Sequence, residues 1–112
     1  MIIRIVAKDG SVAIDDPRNF KAFSVRIEGS FDRPGMEDEL LGRIAIRRDT
    51  DHAWISEQAL RDWPSLKVES WWQEGLTKMM AAVEKFGWVD RSNGAIRAHI
   101  ERAPRDIAIA DL

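Results

Sequence analysis

Hydrophobic and polar positions alternate with two different periods along this chain of 112 residues. A period of two marks strands, and a period near 3.6 marks one dominant helix. Near the start, Ile5 and Ala7 are separated by Val6, and Val12 and Ile14 by Ala13, with Lys8-Asp9-Gly10-Ser11 between the two runs. Asp-Gly favours a two-residue type I′ turn, whose central positions both need φ > 0. Pairing outward from that turn sets Ala7 opposite Val12 and Ile5 opposite Ile14 on one face. The other face pairs Val6 with Ala13 and Arg4 with Asp15. Asp16-Pro17 then predicts a turn, or one helical turn, through about Phe20.

Phe23, Val25 and Ile27 alternate with Ser24, Arg26 and Glu28, the pattern of a half-buried strand. Ser30 to Gly35 reads as a loop and Met36 to Leu41 as a short helix ended by Gly42. Arg43 to Arg48 and His52 to Ile55 predict a hairpin across Asp49-Thr50-Asp51 that pairs Ile46 with Trp54.

The helical period follows. Ser56 caps a short helix over Glu57 to Asp62, which Trp63-Pro64 ends. Ser70-Trp71-Trp72-Gln73 has the form of a capping box, opening a helix over about 71–86. Gly87 supplies the stop, and Trp88 folds back on Val83. Trp72, Leu76, Met79, Val83 and Phe86 fall within about 40° of one line at 100° per residue, and Trp71 and Met80 widen that stripe. Glu74 and Lys78 form an i,i+4 pair on the polar side. Beyond the Asn93-Gly94 turn, Ile96, Ala98 and Ile100 alternate with Arg97, His99 and Glu101. A helix groups these apolar positions almost as well, but the alternation favours a strand, with His99 opposite Trp88. Residues 103–112 read as a loose tail or a further short strand.

These elements predict one α+β domain over residues 1–112: an antiparallel sheet packed against the 71–86 helix, with short helices beside it. The chain has no cysteine. Disulfides, a thiolate nucleophile and a Cys-based zinc site are therefore excluded, and a reducing cytosol suits the composition. Met1-Ile2-Ile3-Arg4-Ile5 lacks the form of a secretory leader, and no run of about 18 apolar residues occurs. A cytoplasmic protein is expected. The net charge of −2 is spread evenly: residues 1–56 carry 9 basic and 10 acidic side chains, and 57–112 carry 8 and 9. Long-range attraction to phosphate backbones or anionic lipid is correspondingly weak. Arginine outnumbers lysine 12 to 5, which we read as the coding bias of a GC-rich, bacterial genome.

Phosphate-loop, dinucleotide, zincin, nucleophile-elbow and EF-hand signatures are all absent, so no cofactor and no resident metal is expected. One cluster mixes carboxylates with an imidazole: Arg48, Asp49, Asp51 and His52. It is the candidate ligand-binding or acid–base loop, although Asp and Thr are also ordinary turn residues. His99 has the simpler explanation of packing on Trp88. Asp15-Asp16 fits a turn, and Glu37-Asp38-Glu39 fits the first turn of a helix, where acids favour the dipole.

Two helices followed by an Asn-Gly hairpin share the outline of a winged helix-turn-helix over residues 57–101. Against that outline, the exposed helix face is charge-balanced, and Arg47-Arg48 is the only adjacent basic pair. Five tryptophans stand beside no tyrosine. Trp63, next to a proline, and Trp71, on the shoulder of the long helix, are the hardest to bury and the candidates for a partner contact.

The sequence thus ranks three functions. First is a small non-catalytic interaction domain acting through a protein partner or as a homodimer. A small-molecule-binding protein or enzyme using the 48–52 loop comes second. A nucleic-acid-binding domain comes third.

Overall fold

The computed structural model describes residues 1–31 and 33–103. The tail beyond Ala103, expected to be loose or a further strand, lies outside the described residues. Both glycine turns form, but as four-residue loops rather than two-residue ones. In the first, β1 (Ile2–Val6) pairs antiparallel with β2 (Ser11–Asp15), setting Ile5 against Val12 and Ile3 against Ile14. In the second, β6 (Val89–Asp90) pairs with β7 (Ala95–Ala103), setting Val89 against Ile96. Gly10 and Gly94 take φ of 61° and 63°, whereas Asp9 and Asn93 are not at positive φ, so the type I′ turn is not made. In the second loop the Asp90 carboxylate accepts hydrogen bonds from the Ser92 hydroxyl and the Asn93 amides, which consumes the extra residues. Each register is displaced by two positions from expectation. A two-residue shift keeps every side chain on its face, so the predicted core positions survive. One contact does not: His99 lies opposite His52, not Trp88.

The sheet is mixed, not antiparallel throughout. Its order is β2-β1-β3-β7-β5-β4, with β6 on the flank of β7. β3 (Ser24–Glu28) runs parallel to β1 and to β7, while β5 (His52–Ser56) runs antiparallel to β7 and to β4 (Ala45–Arg48). The chain enters β3 through the turn expected at Asp16-Pro17, in which Asn19 N–H donates to Asp16 C=O, followed by a 3-10 turn at Phe20–Ala22. In the β4–β5 hairpin a bulge displaces Ile46. Arg47 pairs with Trp54 in its place and stacks on the indole at 4.4 Å, and Ile46 is left 46% exposed. The Asn-Gly hairpin is no free wing either. β7 is an interior strand, held by β3 and β5 at once.

One face of the sheet carries Ile3, Ile5, Val25, Ile27, Ala53, Ile55, Ile96, Ala98 and Ile100, all buried. Three helices cover it: α1 (Met36–Leu41), α2 (Glu57–Arg61) and α3 (Ser70–Glu84). They contribute Leu40 and Leu41, Leu60, and then Trp72, Leu76, Met79 and Met80. α1 matches its expected bounds, and Ser56 caps α2 by accepting from Ala59 N–H at 3.1 Å. The predicted capping box of α3 does not form, because Glu69 occupies the N-cap position. Gln73 is drawn away instead, its amide donating to Arg61 C=O at 2.8 Å and Lys67 C=O at 3.1 Å. Arg61 returns a bond to the Gln73 side-chain oxygen at 3.0 Å, tying α2 to α3. The long helix also stops two residues early, at Glu84. Phe86 therefore leaves the apolar stripe and is 56% exposed, and Trp88 lies against Phe86 with ring centroids 4.9 Å apart.

Candidate functional site

The long strand β7 has two different neighbours on one edge. β6 pairs with it at Ala95 and Ile96, and β3 begins only opposite His99. Arg97 and Ala98 lie in the interval between them, where Arg97 N–H donates to Trp88 C=O at 2.8 Å. Phe23, just ahead of β3, and Trp88, just ahead of β6, flank this notch, and α3 passes behind it. The result is a groove of about 690 Å³, within the range of roughly 300–1,000 Å³ usual for small-molecule sites.

Its apolar wall comes from α3, through Gly75, Met79, Ala82 and Val83. Gly75 costs a helix interior about 1 kcal/mol relative to alanine. The reason for a glycine is steric: a Cβ there would stand 2.2 Å from the Phe20 ring, which lies flush on the helix and tilts against Trp72 at 5.7 Å. That contact pins the Phe20–Ala22 turn to α3 and makes Phe20 the end wall of the groove. Gly75→Ala is expected to lower stability by roughly 1–3 kcal/mol despite its helix propensity, because Phe20 must be displaced. A thermal melt checks this, and an unchanged or raised Tm would show that Phe20 is free to swing aside.

The polar lining is of one kind. Lys21 and Lys78 stand on the helical side, and Arg97, His52 and His99 on the sheet side. Among the described residues no carboxylate lines the groove. His52 and His99 are directly paired across β5 and β7, their rings edge-on at 5.5 Å. One terminal nitrogen of Arg97 lies 3.0 Å from His52 Nε2. The same nitrogen lies 3.5 Å from His52 Nδ1, so the guanidinium sits against the imidazole ring, and Nδ1 is 3.8 Å from Asp49 Oδ1. The other Arg97 nitrogens, Nε and Nη1, have no hydrogen-bond partner among the described residues.

Of the four residues singled out in the 48–52 loop, only His52 reaches this groove. Arg48 turns away to Glu37, at 2.6 Å, and Asp38, at 3.2 Å. Asp49 organises the turn: its Oδ1 accepts from the N–H groups of Asp51 and His52 at 2.8 and 2.7 Å, and these bonds hold its carboxyl below the ordinary carboxylate range. Asp51 is exposed, and its carbonyl accepts from Ile100 N–H. Among the described residues no group of three or more His, Asp or Glu side chains is placed to hold a metal ion. Trp63 and Trp71 are both half-buried against the core and outside the groove. Trp71 meets Trp72 edge-on at 6.2 Å and is covered by the Arg18 guanidinium at 3.9 Å.

Sequence reasoning missed Arg97, Lys21 and Lys78, and took His99 for a packing residue. The alternation Arg97-His99-Glu101 marked a polar strand face, but only the pairing of β5 with β7 brings that face to His52. No helix among the described residues is long and apolar enough to cross a membrane. Comparison of this chain with protein-family models, with curated proteins and with solved structures finds no match.

Proposed function

We propose that this protein is a small-molecule-binding domain whose ligand lies in the groove at the notch on the β7 edge, with α3 on one side and Arg97, His52 and His99 on the other. The observation that carries the reading is the combination of a large apolar groove with Arg97, His52 and His99 converging at one end. An apolar body supplies affinity in such a site, and a few placed polar groups fix orientation. Phe86 and Trp88 support the same reading. Large aromatics at the protein surface are costly unless something covers them, and both line this groove.

An interaction domain, with a protein partner or a second copy, remains the other reading of the sequence. The observation that favours it is the same exposed Phe86–Trp88 pair, since aromatics are enriched where partners dock. Because that pair lines the groove, the small-ligand reading accounts for it together with the polar end.

Binding of 1-octanol, followed by amide chemical-shift changes, provides the test. We expect shifts clustered on Phe20, Phe23, Met79, Val83 and Trp88, saturating with concentration. Ala82→Trp places an indole in the groove from an exposed helix position, so it should abolish those shifts while leaving the melting temperature within a few degrees. Shifts scattered over the surface, or binding retained in the filled variant, would count against the groove.

A further inference from the structure

Resting on the groove as a ligand site, we infer that its natural occupant is an apolar carboxylate, held with its body along α3 and its carboxyl group at Arg97. Three observations lead there. The first is sign. Every charged side chain lining the groove is cationic, the two imidazoles are neutral or cationic, and among the described residues no lining group is acidic. A cationic ligand would meet repulsion from Lys21, Lys78 and Arg97 together, and a neutral one would leave their charge unused.

The second is donor geometry. Arg97 sets one terminal nitrogen against the His52 ring, 3.0 Å from Nε2 and 3.5 Å from Nδ1. Its Nε and Nη1 stay uncommitted among the described residues, and a guanidinium edge matches the two oxygens of a carboxylate. Asp49, in the turn ahead of β5, feels the Arg97 charge but makes no hydrogen bond to it: its Oδ1 accepts two backbone N–H groups and lies 3.8 Å from His52 Nδ1.

The third is shape. Beyond Arg97 and the two histidines, the groove continues along Met79, Val83 and Phe86, an apolar stretch with Lys21 and Lys78 as its polar side chains. The ligand therefore has one charged end and one apolar end. A ligand that is polar throughout does not match.

Calorimetric titration of the full chain with octanoate, 1-octanol and octylammonium tests the assignment, since the three share a chain and differ only in the head group. Octanoate is expected to bind about five- to tenfold more tightly than octanol, the gain of one charge-assisted contact in a partly exposed site. Octylammonium should bind most weakly. Arg97→Gln should bring octanoate down to the affinity of octanol while weakening octanol far less, with a thermal melt confirming that the variant is folded. Arg97→Lys should restore part of the preference. Equal binding of octanoate and octanol to the wild type would overturn the carboxylate assignment and leave the groove as a ligand site. A preference that persists in Arg97→Gln would overturn the role of Arg97. Failure of all three probes to bind would overturn the groove and the carboxylate together.

Discussion

Replacing Trp72 by alanine should lower stability by about 3–5 kcal/mol, a large share of the roughly 5–15 kcal/mol that holds a domain of this size. Trp72 is fully buried at the start of α3, between Phe20 on one side and Trp71 on the other. Its removal leaves a cavity that the stiff surroundings cannot fill. It also strips a buried hydrogen bond, since Trp72 Nε1 donates to Leu60 C=O at 2.8 Å at the end of α2. The two losses can be separated. Trp72→Phe keeps most of the packing and removes the indole bond, while the Leu60 carbonyl keeps the Trp63 N–H at 3.2 Å, so the loss should be about 0.5–1.5 kcal/mol. At roughly 4–8 °C per kcal/mol, the alanine variant should melt on the order of 20 °C below wild type, and the phenylalanine variant between the two. Calorimetry of the three proteins decides it. An alanine variant within a few degrees of wild type would mean that α3 is not the keystone of the core.

The second large effect is a pH dependence at Glu37. This carboxylate, in the first turn of α1, receives both terminal nitrogens of Arg102 at 2.7 and 2.9 Å and one of Arg48 at 2.6 Å. Arg102 chiefly, with Arg48 behind it, lowers its pKa from an ordinary 4.5 to about 2, against the opposing effect of burial. A carboxyl that is more acidic in the folded state binds its proton more readily when unfolded, so falling pH favours unfolding. The contribution is complete above about pH 4.5 and is lost as pH falls towards 2. For a side chain one quarter exposed, it amounts to about 2 kcal/mol after allowance for solvent screening. Glu37→Gln should therefore be less stable than wild type by about that amount at pH 7. The gap should narrow steadily below pH 4.5, to about a quarter of its neutral-pH size by pH 2.5. Urea unfolding of both proteins across this range isolates Glu37 from the other carboxylates, which titrate in each. A gap that does not change with pH would mean the loss is not electrostatic.

That cluster shows how far local pattern reaches. Glu37 was legible as an acid in the first turn of a short helix, and α1 forms where its sequence places it. Its partners were not legible. Arg102 is 65 residues away along the chain and meets Glu37 only because β7 runs parallel to β3 through the middle of the sheet. The same division holds at the groove. His52 stood out for its polar neighbours, but two of them, Arg48 and Asp49, serve α1 and the turn. The groups it works with, Arg97 and His99, come from a strand whose pairing partner nothing local specifies.

By itself the sequence determined the elements and their faces. Alternation put Val25, Ile27, Ile96 and Ile100 inward, the helical stripe buried Trp72, Leu76 and Met79, and Ser56 and the glycine turns marked ends. These are local consequences of side-chain period and backbone preference, so they survive even where both hairpins shift register by two. Tertiary structure alone decided the rest. Strand order and direction depend on which faces bury one another across the whole chain. The loss of the capping box followed from a better partner for Gln73 on α2. The groove exists because β6 and β3 leave an interval along one edge of β7, a gap between elements that no single element encodes.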